Sequence, residues 1–256
     1  MRTRLWQLVP LALLFAAALV VPACGGSDDD ASSPSTDGPE DAGGSPDPAD
    51  PTGTVDPADP AAVRYLAIGD SLSQGVGADD IETGAFPARL AERWRAAGCT
   101  VELNNAGISG YTASQMIEEQ VPKIREFKPT VITFQSGAND IANGISKKQY
   151  RDDVGTVLDA ALKSGARVYV LLQNEWFRAP AGPDYGGTRE LRDAYDEIMI
   201  DVVKAKKDVT IVDLRPLYEQ QADRNEWIDD GIHPTAKAYD AWSERLVDLI
   251  PRPCDN

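Results

Sequence analysis

The chain has 256 residues, 41 of them acidic, 25 basic and one a histidine, for a formal net charge of −16. So acidic a balance argues against nucleic acid as a partner. One histidine and three cysteines leave no cluster of the kind that holds a transition metal, and no glycine-rich phosphate cradle appears, so neither a metal nor a cofactor is expected.

Residues 1–23 read as an export signal: Arg2 and Arg4, the apolar run LWQLVPLALLFAAALVV, then small residues at a cleavage position. The run is long enough that an uncleaved membrane helix is the alternative. The tetrad VPAC, with Ala23 before Cys24, resembles the lipobox of bacterial lipoproteins. That resemblance implies a lipid on Cys24 and a membrane-anchored protein of a bacterial cell envelope. Simple cleavage after Ala23 would instead give a secreted or periplasmic soluble protein.

Residues 24–62 follow as an acidic tether rich in Pro, Gly and Ser, with no aromatic residue, lysine or arginine. Such a segment has too little apolar surface to offset its ordering entropy and is expected to be disordered. Ten acidic residues lie in it, which leaves 31 acidic against 23 basic residues from position 63 on, a net charge near −8. Residues 63–256 are long enough for one domain with a full core, expected to be a monomer. With Cys24 lipidated, Cys99 and Cys254 remain, and an oxidising compartment favours a disulfide between them over two free thiols.

Within that domain, RYLAIGD, TVELNNAG, TVITFQSG, ARVYVLLQ and VTIVDL predict five strands, apolar almost throughout and bounded by turn-formers. Continuous apolar strands are buried on both faces, as in a parallel sheet. Between and after them, AFPARLAERWRAAG, TASQMIEEQVPKIREF, KKQYRDDVGTVLDAALKSG, TRELRDAYDEIMIDVVKAKK and TAKAYDAWSERLVDLI carry apolar residues at spacings of three and four and predict helices. The alternation predicts an α/β fold of three layers, helices on both faces of a five-stranded parallel sheet. Ligands of such sheets bind at the carboxyl ends of the strands, so the residues directly after each strand matter most.

After the first strand comes Ser71 in GDSLSQG, at a turn that can lift its hydroxyl from the sheet; a plain turn serine is the alternative. After the second comes Gly107 in NNAGISG. It either serves a positive-φ turn or lets its amide approach a substrate oxygen closely. After the third, Asn139 in GAND either satisfies its own backbone or presents a side-chain amide. Beyond the fifth, DDGIHP holds the lone His233. A serine hydroxyl needs a base to become a nucleophile, and histidine is the usual one near neutral pH. The imidazole in turn needs an acceptor on its other nitrogen. Asp230 can supply it within one local turn; Asp229 and Asp213 compete.

The blocks GDSLSQG, NAGISG, GAND and DGIHP, in that order over residues 64 to about 247, resemble the SGNH, or GDSL, hydrolase family, especially its bacterial lysophospholipase, thioesterase and arylesterase-like members. The resemblance implies a flavodoxin-like sheet fold and a serine esterase working through an acyl-enzyme. It implies Ser71 as nucleophile, Asp230 and His233 as the acid–base pair, and an oxyanion hole from Gly107, Asn139 and the Ser71 amide. The blocks depart from the α/β-hydrolase pattern, which needs a GxSxG elbow deep in the chain and an acid well separated from its histidine. The long loop QNEWFRAPAGPDYGG after the fourth strand supplies Trp176, Phe177 and Tyr185, which either line a pocket or form a small satellite core. With Ile108 and Ile141 they are the candidate substrate contacts. The substrate is a small-molecule, lipid or glycan ester, or a thioester. Deacetylation of envelope polysaccharide and non-catalytic binding of glycan or lipid are the alternatives.

Overall fold

A computed structural model describes residues 62–255; the leader, Cys24 and the tether to residue 61 lie outside the described residues. In chain order the elements are β1 (Val63–Ile68), α1 (Ser71–Gln74), α2 (Ile81–Gly84), α3 (Phe86–Ala96), β2 (Val101–Asn105), α4 (Ala113–Glu119), α5 (Val121–Phe127) and β3 (Val131–Phe134). There follow α6 (Ala138–Ala142), α7 (Lys147–Lys163), β4 (Arg167–Leu171), two 3₁₀ turns (Trp176–Arg178 and Gly182–Tyr185), α8 (Arg189–Lys204), β5 (Val209–Val212), α9 (Arg215–Asp223) and α10 (Ala236–Leu249). No helix among the described residues is long and apolar enough to cross a membrane.

All five strands are parallel, in the order β2-β1-β3-β4-β5. The inner strands β1, β3 and β4 are buried nearly throughout, while the edge strands β2 and β5 are half-buried. Alternate strand residues feed two cores, as the period of two requires. Leu66, Ile68, Ile132, Phe134, Val168 and Val170 pack under α4, α5, α7 and α8. Tyr65, Ala67, Val131, Tyr169 and Leu171 pack under α3, α9 and α10, where Trp94, Tyr218, Tyr239 and Trp242 fill the layer. The architecture is the expected α/β/α sandwich.

Two features differ from the sequence reading. The helix expected across 112–127 breaks at Gln120 into α4 and α5, because Pro122 sits at the start of α5 and has no N–H to give the preceding turn. Helix α9 was not foreseen; its apolar side is only Leu217 and Tyr218 with Ala222, too thin a stripe to register. Cys99, just past α3, is bonded to Cys254 in the C-terminal tail, closing a span of 155 residues. Arg252 donates to the Ala97 carbonyl at 2.8 Å beside it.

Candidate active site

In the order 2-1-3-4-5 the chain leaves β1 towards β2 on one side and leaves β3 towards β4 on the other, so a crevice opens between the carboxyl ends of β1 and β3. Ser71 follows β1 and Asn139 follows β3, which places both at that crevice.

The Ser71 turn is anchored from below. Asp70 caps α1, its Oδ1 accepting from the Leu72 N–H at 3.0 Å, and its Oδ2 accepts from Gln135 Nε2 at 3.2 Å and Asn139 Nδ2 at 3.4 Å. Burial raises the Asp70 carboxyl to about 6, against the pull of the Leu72 amide, Gln135 and the charge of His233. Ser71 itself is 9% exposed and opens α1, so its N–H belongs to the first turn and has no partner within the helix.

The His233 turn is built from local bonds. Asp230 Oδ1 accepts from the N–H groups of Ile232 at 2.9 Å and His233 at 3.0 Å, and Oδ2 lies 2.6 Å from His233 Nδ1. An ionised carboxylate only accepts, so Nδ1 carries the hydrogen and Nε2 of the neutral ring is left as the acceptor. Burial raises the Asp230 carboxyl, but the ring and the two amides outweigh it and hold the group below its ordinary value. Asp213 is spent on Arg215, at 2.9 and 2.5 Å, and so is not the partner of the ring. The Ser71 and His233 segments approach at Gly77. Its φ is +100°, and a side chain there would meet the Pro234 carbonyl at 2.1 Å.

Ser71, Asn139 and His233 line one cavity of about 230 Å³ together with Leu72, Trp176 and Tyr185. Among the described residues no hydrogen bond joins the Ser71 hydroxyl to the ring. Ile108, Ile141 and Phe177 lie outside this lining. Ile141 is buried in the core, Ile108 donates its N–H to the Gly69 carbonyl at 3.2 Å, and Phe177 packs beneath Arg189 and Arg192. Gly107 also lies outside it. Its φ is not positive, so of the two readings of this glycine the close approach applies, but the surface approached is α1: a Cβ would meet Gln74 N at 2.4 Å and Ser73 Cβ at 2.8 Å. Its N–H donates to Asn105 Oδ1 at 3.2 Å.

The model of the GDSL-like Lipase/Acylhydrolase family matches residues 67–241, from the end of β1 through the start of α10. The chain belongs to that family. It is 28% identical over 189 residues to an arylesterase of Vibrio mimicus, covering 73% of this chain and 87% of the relative. It is 29% identical over 179 residues to the thioesterase 1/protease 1/lysophospholipase L1 of Escherichia coli K12, covering 70% and 78%. A crystal structure of TesA superposes with a TM-score of 0.62 at 25% identity, over 74% of this chain and 99% of that one. Membership makes the chain an ester hydrolase.

Three residues of this GDSL-like hydrolase escaped the sequence reading. Gln120, fully buried at the break between α4 and α5, accepts from the Gly69 N–H and donates to the Gly69 carbonyl, both at 2.9 Å. The signal was present in the Pro122 that follows. Asn105 ties β2 to α1 by donating to the Ser73 carbonyl at 2.7 Å. Asn174 lines the cavity just past β4, where the rule that ligands sit at strand ends already pointed; the length of the loop drew attention to its aromatics instead.

Proposed function

We propose that the chain hydrolyses small carboxylic esters, and thioesters, in two steps, with Ser71 as nucleophile, His233 as base and Asp230 as the group that orients the ring. His233 Nε2 takes the Ser71 proton as Oγ bonds to the carbonyl carbon. The protonated ring then gives that proton to the leaving alcohol or thiol as the C–O or C–S bond breaks. Water repeats the sequence on the acyl-enzyme and releases the acid. Negative charge on the carbonyl oxygen falls to the Ser71 N–H, the Gly107 N–H and Asn139 Nδ2. One hydrogen of Asn139 is committed to the Tyr111 carbonyl at 3.2 Å, and the other makes only the 3.4 Å contact with Asp70, so it is the one offered to substrate. The Gly107 amide must exchange its 3.2 Å bond to Asn105 for the substrate oxygen.

The observation that carries this reading is the Asp230–His233 pair, joined at 2.6 Å, on the same cavity as Ser71. At about 230 Å³ the cavity is smaller than the ~300–1,000 Å³ usual for drug-sized ligands, which supports a short acyl group or a small ester. The test is turnover of 4-nitrophenyl butyrate against longer acyl esters by wild type and Ser71→Ala. The short ester is expected to win and the variant to be inert; an active Ser71→Ala protein removes the mechanism.

The proposal extends to the rest of the chain as 1–23 leader, lipid on Cys24, 24–62 tether and a monomeric domain from 63 on, placed on a bacterial cell envelope. The Cys99–Cys254 bond supports export to an oxidising compartment. Cys24→Ser should move the protein from the membrane fraction to the soluble one; an unchanged distribution removes the anchor.

A further inference from the structure

Asn174 is 1% exposed and lines the catalytic cavity, yet neither its Nδ2 nor its Oδ1 has a protein partner among the described residues. Its neighbours are tied to the framework. Gln173 donates to Asp196 Oδ1 at 3.2 Å and accepts from Trp176 Nε1 at 3.0 Å, while buried Glu175 pairs with Arg192 at 2.5 Å. Those bonds fix the chain on both sides of Asn174 and hold its amide at the cavity wall. Leaving a buried amide unpaired weakens the fold, and a leucine of the same branched shape would avoid that loss. Beyond Asp70, Ser71, Ser109, Asn139 and His233, the rest of the cavity lining around it is apolar, Trp176, Tyr185 and Ile232 included.

An amide whose donor and acceptor both stand open complements a group that both accepts and donates. We infer that Asn174 is a specificity-determining residue that binds a hydroxyl of the ester, on the acyl or the alcohol side, within a few bonds of the reacting carbonyl. The inference rests on the esterase reading of Ser71 and His233 and narrows its substrate class to hydroxylated esters. A plain alkyl group in this place leaves both ends of the amide unpaired, and sites built to bond a hydroxyl discriminate strongly against analogues that lack it.

The test compares kcat/KM for two ester pairs in wild type and Asn174→Leu. The acyl-side pair is 4-nitrophenyl 3-hydroxybutyrate with 4-nitrophenyl butyrate, and the alcohol-side pair is glycerol monobutyrate with propyl butyrate. Wild type is expected to favour the hydroxylated member of one pair by about tenfold or more. Asn174→Leu should abolish that preference, mainly by slowing the hydroxylated ester, and the pair affected identifies the side that carries the hydroxyl. Its Tm should equal or exceed that of wild type. A preference unchanged by the substitution in both pairs, or a Tm lowered by several degrees, overturns the inference, the second outcome marking the amide as part of the framework. Ser71→Ala is run beside them: if it still cleaves these esters, the nucleophile is misassigned whatever the Asn174 ratios do. If wild type cleaves none of the four, the esterase reading fails by itself. Stabilisation of wild type, and not of Asn174→Leu, by free 3-hydroxybutyrate or glycerol then still supports the Asn174 site, and its absence overturns it.

Discussion

The two turns that meet over the sheet are stabilised in opposite ways. The Ser71 turn is buried and pinned by residues far off in sequence: Gln120 grips Gly69, Gln135 and Asn139 hold Asp70, and Asn105 holds Ser73. The His233 turn is largely self-made. Ile228 donates to the His233 carbonyl at 2.9 Å, Trp227 and Pro234 form an isolated bridge, and Asp230 supplies three contacts within three residues. From outside it receives mainly the Ala181 N–H on the Gly231 carbonyl at 2.7 Å and the close pass at Gly77. In the proposed mechanism the nucleophile, which must keep its place against charge developing on its substrate, thus rests on a rigid support. The proposed base, which must turn between two oxygens, stands on a smaller, more exposed loop.

This contrast predicts different consequences for substitutions on the two sides. The largest effect belongs to the proposed nucleophile and base: Ser71→Ala or His233→Ala should lower kcat by roughly 10⁴–10⁶ with an unchanged unfolding midpoint. A loss below tenfold in either would remove that residue from the chemistry. Asp230→Asn comes next, at roughly 10³–10⁴ in kcat, because an amide can present its N–H to Nδ1 and so favour the wrong tautomer. Since the turn keeps other bonds, urea unfolding should shift little; a large shift would mean that this loop too is framework.

Gln120→Leu tests the other side. It leaves the buried N–H and carbonyl of Gly69 without their partner and should cost about 2–4 kcal/mol in urea unfolding, with kcat falling as the Ser71 turn loosens. Unchanged stability would show that the clamp is dispensable.

The smallest effect concerns Asp140, buried beside this base, where it accepts from the Ala113 N–H at 3.1 Å. Burial first, then the charges of Asp70 and Asp153, raise its carboxyl to about 7 despite that bond. The folded chain therefore binds a proton that the unfolded chain has already lost, and stability falls as the pH rises from about 4 to 7. Asp140→Asn keeps an acceptor for Ala113 but cannot ionise. It should match wild type at pH 4 and exceed it at pH 8 by on the order of 1–3 kcal/mol; a less stable variant at pH 8 would reverse the sign and refute the assignment.

What could be read in the sequence follows from the range of the interactions. Strand–helix alternation, the parallel sheet and its two cores were legible because period and composition are local. So was the pairing of Asp230 with His233, since an acceptor three residues away needs only one turn to reach the ring. The break at Gln120 was half-legible through Pro122, but its purpose was not, because Gly69 lies 51 positions earlier. The tertiary structure alone decided that Gly107 is small so that β2's exit can press against α1, and that Phe177 serves the packing while Trp176 and Tyr185 face the cavity. It alone left Asn174 buried without a partner. These are facts of close packing between segments distant along the chain, and no short-range pattern encodes which surface a side chain will finally meet.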